Sequence, residues 1–306
     1  MLKLRKVKRK TLDLNKYSKA IDEAVNHRIY AEYWYLDALT DKKWECWIYG
    51  DYEAVMPVPL QYKFGIKFVI QPFYCQQLGV FYSNEISNEL FKAFETKLHK
   101  YRVRAYHFNE ENTERYQPKG EKRVNFILDL NCPYDELFAN YTKSRRKDIR
   151  KSKRLGVKIE TTHDFDNFMK IKFTNYSDIS GLNKDYFHRL LSEMVRKNKL
   201  IICDIFDENN QLIASQLFSI SGNRRICLGF ARDKEKEKHN SSAFAKDFLI
   251  NELSNTPNIL DFEGSSHPNI ASFMKGFGVE EKHFTCFSNS KFDSIKNKVF
   301  RIFNKS

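Results

Sequence analysis

No stretch of this sequence is apolar for long enough to cross a bilayer. Even its most hydrophobic segment, FGIKFVIQPF, is broken by a lysine and a glutamine. The opening MLKLRKVKRK has charge but no apolar run behind it, so no secretory signal is read there. The six cysteines (Cys46, Cys75, Cys132, Cys203, Cys227 and Cys286) lie far apart and form no C-x-x-C pair. Cys203 and Cys227 fall in apolar, strand-like runs, where a reduced thiol acts as a small core residue. A reducing cytoplasm is the expected setting, and no metal is expected. No cysteine or serine stands in a recognisable nucleophile motif.

Charge of one sign is also missing from most of the chain. The net charge is +13. Residues 1–10 hold six basic and no acidic residues, and residues 142–154, TKSRRKDIRKSKR, hold eight basic and one acidic. Those two patches account for the whole excess, and the remaining body is balanced. The protein is therefore not generally basic, and two local patches need an explanation. What is abundant is core material: 42% hydrophobic residues with 15% aromatics, in 306 residues, predict one large or two ordinary folded domains.

Residues 1–10 suit a strand or a basic arm. Ser18–Leu39 carries apolar residues at helical spacing, including Ile21, Val25 and Ile29, and reads as one or two helices. Trp44–Tyr49 and Tyr52–Leu60 read as a hairpin, with Pro57 and Pro59 putting the second strand near an edge. Strands at Ile66–Pro72 and Leu78–Tyr82, a helix at Ile86–His99 and a strand at Val103–Phe108 follow. The second half repeats this order: strands at Leu200–Phe206, Gln211–Ile220 and Arg225–Ala231, a helix at Ala243–Leu253, and a strand at Ile259–Phe262. The expected fold is mixed α/β (α+β), a duplicated unit whose boundary lies in the polar loop ENTERYQPKGEKR, before a strand at Val124–Leu130. The second half also carries a helical insertion, 133–198. Its first helix starts at Pro133 and stops at Gly156, with an apolar stripe that Arg145 and Ser152 interrupt.

The stretch LDFEGSSHPNIASFMKGFGVEEKHF gathers the most chemistry. A strand ends in carboxylates, a polar turn follows, and Pro268 opens a helix that closes at Gly276. Together with NYTKSRRKDIRKSKRLGVKI upstream, it resembles the FemABX-like branch of the GNAT acyltransferase superfamily. The shared features are a basic helix before a Gly-Val strand, and a late D-F-x-G followed by Phe273, Lys275, Gly276, Phe277 and Gly278. The resemblance implies two tandem GNAT-like domains, each with a largely antiparallel mixed sheet flanked by helices. Residues 1–123 would form a degenerate N-terminal copy and 124–290 the copy with the active site. Residues 291–306 would form a basic amphipathic helix on Phe292, Ile295, Val299 and Ile302, docked on its own domain or on a membrane surface.

The implied reaction is transfer of an acyl or aminoacyl group, from acyl-CoA (acetyl-CoA) or aminoacyl-tRNA, to an acceptor amine. Relatives of this kind build cell-wall peptide bridges, so a cell-wall or nucleotide-linked precursor, or tRNA, is an expected partner. The sequence departs from the pattern twice. The stretch RDKEKEKHNSSAFA, where acyl-CoA enzymes carry Q/R-x-x-G-x-G/A, has no glycine, and no segment is long enough for the helical arm of tRNA-using relatives. The donor therefore stays open.

Direct attack in a ternary complex needs a base and oxyanion donors. Asp261 and Glu263 share a strand face and His267 follows, so these three are the candidate catalytic residues, set against plain turn and cap roles. A donor pyrophosphate is expected at the start of the helix after Ser242, on His239, Asn240, Ser241, Ser242 and Ala243, set against a plain capping role for one of Asn240, Ser241 and Ser242. Arg145, Arg146 and Arg150, with Lys147, form an electropositive wall or a solvated helix face. Arg145, on the apolar stripe, should need a buried partner. Lys275 is a weaker member of that wall, and Gln76 and Gln77 are candidates to line an acceptor groove. The competing readings are a nucleic-acid-binding protein using the two basic patches, and a GNAT scaffold that binds a partner without catalysis.

Overall fold

The computed structural model describes residues 3–175, 183–237, 239–265 and 267–289. The expected C-terminal helix lies outside these residues. In chain order the elements are β1 (Leu4–Lys8), α1 (Leu14–Asp22), α2 (Tyr33–Thr40), β2 (Trp44–Tyr49), β3 (Ala54–Lys63), β4 (Ile66–Ile70) and β5 (Phe81–Tyr82). Next come α3 (Asn88–His99), β6 (Val103–Phe108), α4 (Glu110–Tyr116), β7 (Glu121–Asp129), α5 (Tyr134–Ala139), α6 (Lys143–Arg154), β8 (Lys158–Thr162), α7 (Asp166–Asn175) and α8 (Lys184–Arg196). The chain ends in β9 (Leu200–Phe206), β10 (Leu212–Ser221), β11 (Arg224–Arg232), α9 (Ser241–Leu253), β12 (Ile259–Asp261), α10 (Pro268–Lys275) and β13 (Glu280–Phe287). Among the described residues no helix is long and apolar enough to cross a membrane.

Two compact units result. One holds the described residues up to Arg123 together with those from His283 onward; the other spans Val124–Lys282. In the first unit the strands run β1-β2-β3-β4-β6-β13, with β5 paired to β3; in the second they run β8-β9-β10-β11-β12-β7. The pairings match position by position. Three antiparallel contacts are followed by one parallel contact (β4 with β6, β11 with β12), and then by an antiparallel one. A helix joins each parallel pair, α3 in one unit and α9 in the other, as a parallel crossover requires. Both units are mixed α/β with largely antiparallel sheets, the tandem GNAT-like arrangement.

The sixth strand of each unit is exchanged. β7 directly follows β6 and α4 in sequence, yet pairs with β12: Ile259 faces Asp129 and Asp261 faces Ile127. β13 follows β12 and α10, yet its Thr285–Phe287 pair with Phe108–Tyr106 of β6. Hydrogen bonding decides this. The open edge of each fifth strand must be filled by some chain.

Several local expectations need correction. β3 is an interior strand despite Pro57 and Pro59. β5 pairs only Ala54–Val55 and β4 only Leu60–Lys63, so the proline stretch faces an unpaired interval on that side. Val25 lies between α1 and α2, 66% exposed, rather than on an apolar face. The polar boundary loop contains α4, started by Asn109, whose Oδ1 accepts the Asn112 N–H at 2.9 Å. The single helix expected from Pro133 to Gly156 is two. Thr142 breaks it by capping α6, with Oγ1 accepting from the Arg145 N–H at 3.3 Å, while its own N–H donates to the Gly276 carbonyl at 2.9 Å. The region also contains β8, edge partner of β9, as β1 is of β2.

The second unit's core packs Phe126 and Leu128 of β7 and Leu260 of β12 against Ile149, Ile250 and Phe277, all 7% exposed or less. Full burial of such side chains stabilises by about 1.5–3 kcal/mol each.

Candidate active site in the second unit

β11 and β12 stay paired for three residues only. Arg224 faces Ile259, Arg225 faces Leu260 and Ile226 faces Asp261, and β11 then runs on to Arg232 without β12. At the parting point Asp261 is buried and spans three groups. Its Oδ2 accepts from Arg224 Nη1 at 2.7 Å, and its Oδ1 from Asn125 Nδ2 at 3.0 Å and from the Glu263 N–H at 2.9 Å. The chain then turns sharply: Glu263 takes φ +55°, a conformation uncommon for a residue with a Cβ. Gly264 follows where a Cβ would lie 1.7 Å from the Val124 carbonyl oxygen, so only glycine fits beside β7.

Past the parting point lies a cavity of about 610 Å³, within the range of small-molecule sites. Its apolar wall includes Phe230, Phe262, Phe273, Ile270 and Met274, and the exposed Asn240, Asn269 and Arg232 also line it. Buried polar groups in the wall are Gln216, Glu237 and Lys246 of α9. Lys246 Nζ donates to Gln216 Oε1 and to Ser242 Oγ, each at 2.9 Å, with the Ser242 carbonyl at 3.4 Å. The rings of Phe273 and Phe230 lie 5.6 and 5.7 Å away. Burial lowers the Lys246 pKa from the ordinary lysine value. Gln216 is held in turn. β11 carries one extra residue opposite the Leu217/Phe218 step, and Gln216 Nε2 donates to the carbonyls of Gly229 at 2.8 Å and Leu217 at 3.0 Å. Cys227, in the cavity wall, is a thiol rather than a thiolate at neutral pH, because burial pushes it up to about 12.

The start of α9 is already filled by the chain itself. Glu237 Oε1 accepts the Ser241 and His239 N–H groups, both at 2.9 Å. Burial opposes its ionisation, but these amides and Arg232, 3.5 Å from Oε2, outweigh that and hold the carboxyl below its ordinary range. A side-chain carboxylate thus sits where a helix start attracts anions.

Of the residues singled out from sequence, Asn240, Ser242 and Ala243 line the cavity; His239 and Ser241 are not among its lining residues. Asn240 adopts φ +58° and sends Nδ2 to Asp148 Oδ1 at 2.9 Å. His239 offers its carbonyl to Ser152 Oγ and lies 3.7 Å from Glu208, and Ser241 is fully buried. Asp261, Glu263 and His267 do not line the cavity either. His267 is exposed at the N-cap of α10 and makes no side-chain capping bond.

Arg145 is buried and finds partners on α6 and α10. Nη1 donates to Asp148 at 2.9 Å, Nη2 to the Phe273 carbonyl at 3.1 Å, and the guanidinium stacks 4.0 Å over Phe273 and 4.9 Å from Phe277. It therefore ties α6 to α10, and through Asp148 to Asn240. Arg146 donates to the Ala139 carbonyl at the end of α5, at 2.6 Å. Arg150 and Lys147 are exposed, with Arg150 5.7 Å from the Phe138 ring, and Lys275 pairs with Glu281 at 2.6 Å. Gln76 and Gln77 belong to the first unit. Gln77 is fully buried, its Oε1 accepting the Glu110 N–H at 3.1 Å and its Nε2 donating to Gln76 Oε1 at 2.9 Å.

The FemAB family matches residues 63–257, almost two thirds of the sequence. This chain belongs to the FemAB family. Solved structures agree in fold. The crystal structure of FemX is similar over 94% of this chain and 98% of its own, with a TM-score of 0.66 at 11% identity. L-PGS from Bacillus licheniformis is similar over 96% and 97%, with a TM-score of 0.61 at 10% identity. The C-terminal domain of a putative lysylphosphatidylglycerol synthetase from Agrobacterium fabrum follows, over 91% and 92%, with a TM-score of 0.56 at 9% identity. No curated protein matches the sequence.

In this FemAB-family chain, then, sequence reasoning missed Lys246, Gln216 and Glu237. Glu237 hides in the charge run RDKEKEK, whose residues read as solvated. Lys246 sits in a helix whose buried face gives no sequence cue for a cation. In the first unit the corresponding parallel pair is closed differently. Leu78 N–H donates to the His107 carbonyl and Asn109 N–H to the Leu78 carbonyl, both at 2.8 Å, so returning chain covers that edge of β6. Among the described residues one histidine–carboxylate group has ligand-like spacing: Asp22, His27 and Glu32 of the first unit. Within it, His27 Nε2 lies 3.3 Å from Glu32 Oε1.

Proposed function

We propose that the cavity of the second unit is the site of aminoacyl transfer from an aminoacyl-tRNA to an acceptor amine. Membership of the FemAB family supports aminoacyl transfer, and Glu237 selects between the donors. Its carboxylate occupies the start of α9, where the pyrophosphate of an acyl-CoA would have to displace a buried, hydrogen-bonded anion of like charge. An aminoacyl ester needs no pyrophosphate site there, and the exposed cations of α6, Lys143, Lys147, Arg150 and Arg154, suit a polyphosphate backbone.

The reaction is direct. The acceptor nitrogen attacks the ester carbonyl carbon, a C–N bond forms, the C–O bond to the ribose breaks, and one proton passes from nitrogen to the leaving oxygen. The neutral Cys227 thiol supports a route without an acyl-enzyme. Cytoplasmic location, where charged tRNA is found, and a cell-envelope acceptor are parts of the same proposal.

The test is transfer of radiolabel from aminoacyl-tRNA, and separately from acetyl-CoA, to a panel of amines and cell-wall precursors. Calorimetry with CoA runs alongside. Transfer from the tRNA ester with no CoA binding is expected. Acetyl transfer, or CoA held at residues 239–243, overturns the choice of donor.

A further inference from the structure

Lys246 lies buried in the cavity wall, and its burial disfavours the charged form. We propose that it is the proton relay of the transfer reaction, taking the proton from the attacking amine and passing it to the leaving ribose oxygen; this rests on the reading above. The argument starts from hydrogen-bond stoichiometry. A neutral lysine amine has two N–H donors and one lone pair, whereas the ammonium form has three donors and none. Two short bonds leave Nζ, to Gln216 Oε1 and Ser242 Oγ at 2.9 Å, and the third neighbour, the Ser242 carbonyl, is farther at 3.4 Å. The neutral form satisfies both short bonds and keeps its lone pair for a substrate proton.

Burial and the Arg145 cation favour that form, against the faces of Phe273 and Phe230, which favour the ammonium. From α6 comes the Arg145 cation. From β11 come Cys227, a neutral thiol, and Arg232, which pairs with Glu237 at 3.5 Å. From β10 comes the uncharged Gln216, and from α10 the Phe273 ring. No salt bridge to a carboxylate is found for Lys246 among the described residues. On its own helix, Asp247 is bonded to Tyr134 at 2.9 Å. Burial is the cost of keeping a lysine here, and loss of its charge removes most of that cost.

The proton balance closes. As the C–N bond forms, Nζ accepts the nitrogen's proton. As the C–O bond breaks, the resulting ammonium donates it to the ribose oxygen, and the lysine returns to its starting state. No further reactant is needed.

The experiment uses the full chain labelled with ε-13C-lysine, with K246R to assign the Lys246 signal, together with transfer kinetics for K246M and K246R. The Lys246 signal should titrate clearly below the other lysines. A titration among them overturns the relay, and this measurement requires no substrate. In the transfer assay K246M should lose about 10²–10⁴-fold in kcat with donor KM little changed. Small primary amines should restore part of the K246A rate, more so as their basicity rises. A wild type that transfers while K246M retains more than a third of its rate overturns the relay and leaves the transferase reading standing. A wild type that transfers from no donor overturns both.

Discussion

Replacing Glu237 by glutamine tests the feature on which the proposed choice of donor rests. The folded carboxylate accepts two amide N–H bonds at 2.9 Å at the start of α9 and has Arg232 at 3.5 Å. Glutamine keeps one acceptor oxygen but removes the charge. A carboxylate at a partly buried helix start is worth about 0.3–2 kcal/mol. Arg232 adds little, because its side chain is 50% exposed and screened by solvent. We therefore expect E237Q to lose about 1–2 kcal/mol at pH 7, read as a lower urea midpoint at unchanged slope. The pH dependence carries the sign. The folded pKa lies below the ordinary value of 4.5, so the stabilisation is full above the unfolded pKa and is lost as pH falls through the folded one. Wild type and E237Q should thus differ at pH 7 and converge in acid, once the pH has fallen below the lowered folded pKa of Glu237. E237A, which vacates the site, should also gain binding of inorganic pyrophosphate in calorimetry. Equal urea midpoints at pH 7, or a difference that persists in acid, would refute the reasoning.

Three further outcomes follow from the geometry. G264A drives a Cβ to 1.7 Å from the Val124 carbonyl and should cost about 1–3 kcal/mol or more by urea denaturation; an unchanged midpoint would mean the turn relaxes freely. D261N leaves the buried Arg224 guanidinium without its anion and should cost about 3–5 kcal/mol, whereas D261N with R224M should recover part of that loss. A fragment of residues 1–123 lacks β13, so Tyr106–Phe108 present an open edge, and it should melt without cooperativity or aggregate. A cooperative melt of that fragment would show that the exchanged strand is dispensable.

Much of the fold was legible. Leu200–Phe206 and Val103–Phe108 match their strands end to end, because apolar alternation between turn residues has one cheap solution. Pro268 and Gly276 bound α10 as expected, since each acts through its own backbone. The break at Thr142 was less visible, because the stripe Leu137–Tyr141–Ile149 continues across it and only a contact with Gly276, far away in sequence, separates the helices. Arg145 announced itself by interrupting that stripe, although only the fold supplied Asp148, Phe273 and Phe277 as its partners.

By itself the order of apolar periods and turn signals determined that this chain folds one unit twice. Those signals are local and recur with the repeat. Tertiary structure alone decided which sheet receives β7 and β13, that Glu237 fills the start of α9, and that Lys246 lies buried in the cavity wall. Edge pairing, helix capping and desolvation act between residues brought together by folding, and a one-dimensional pattern carries no record of those meetings.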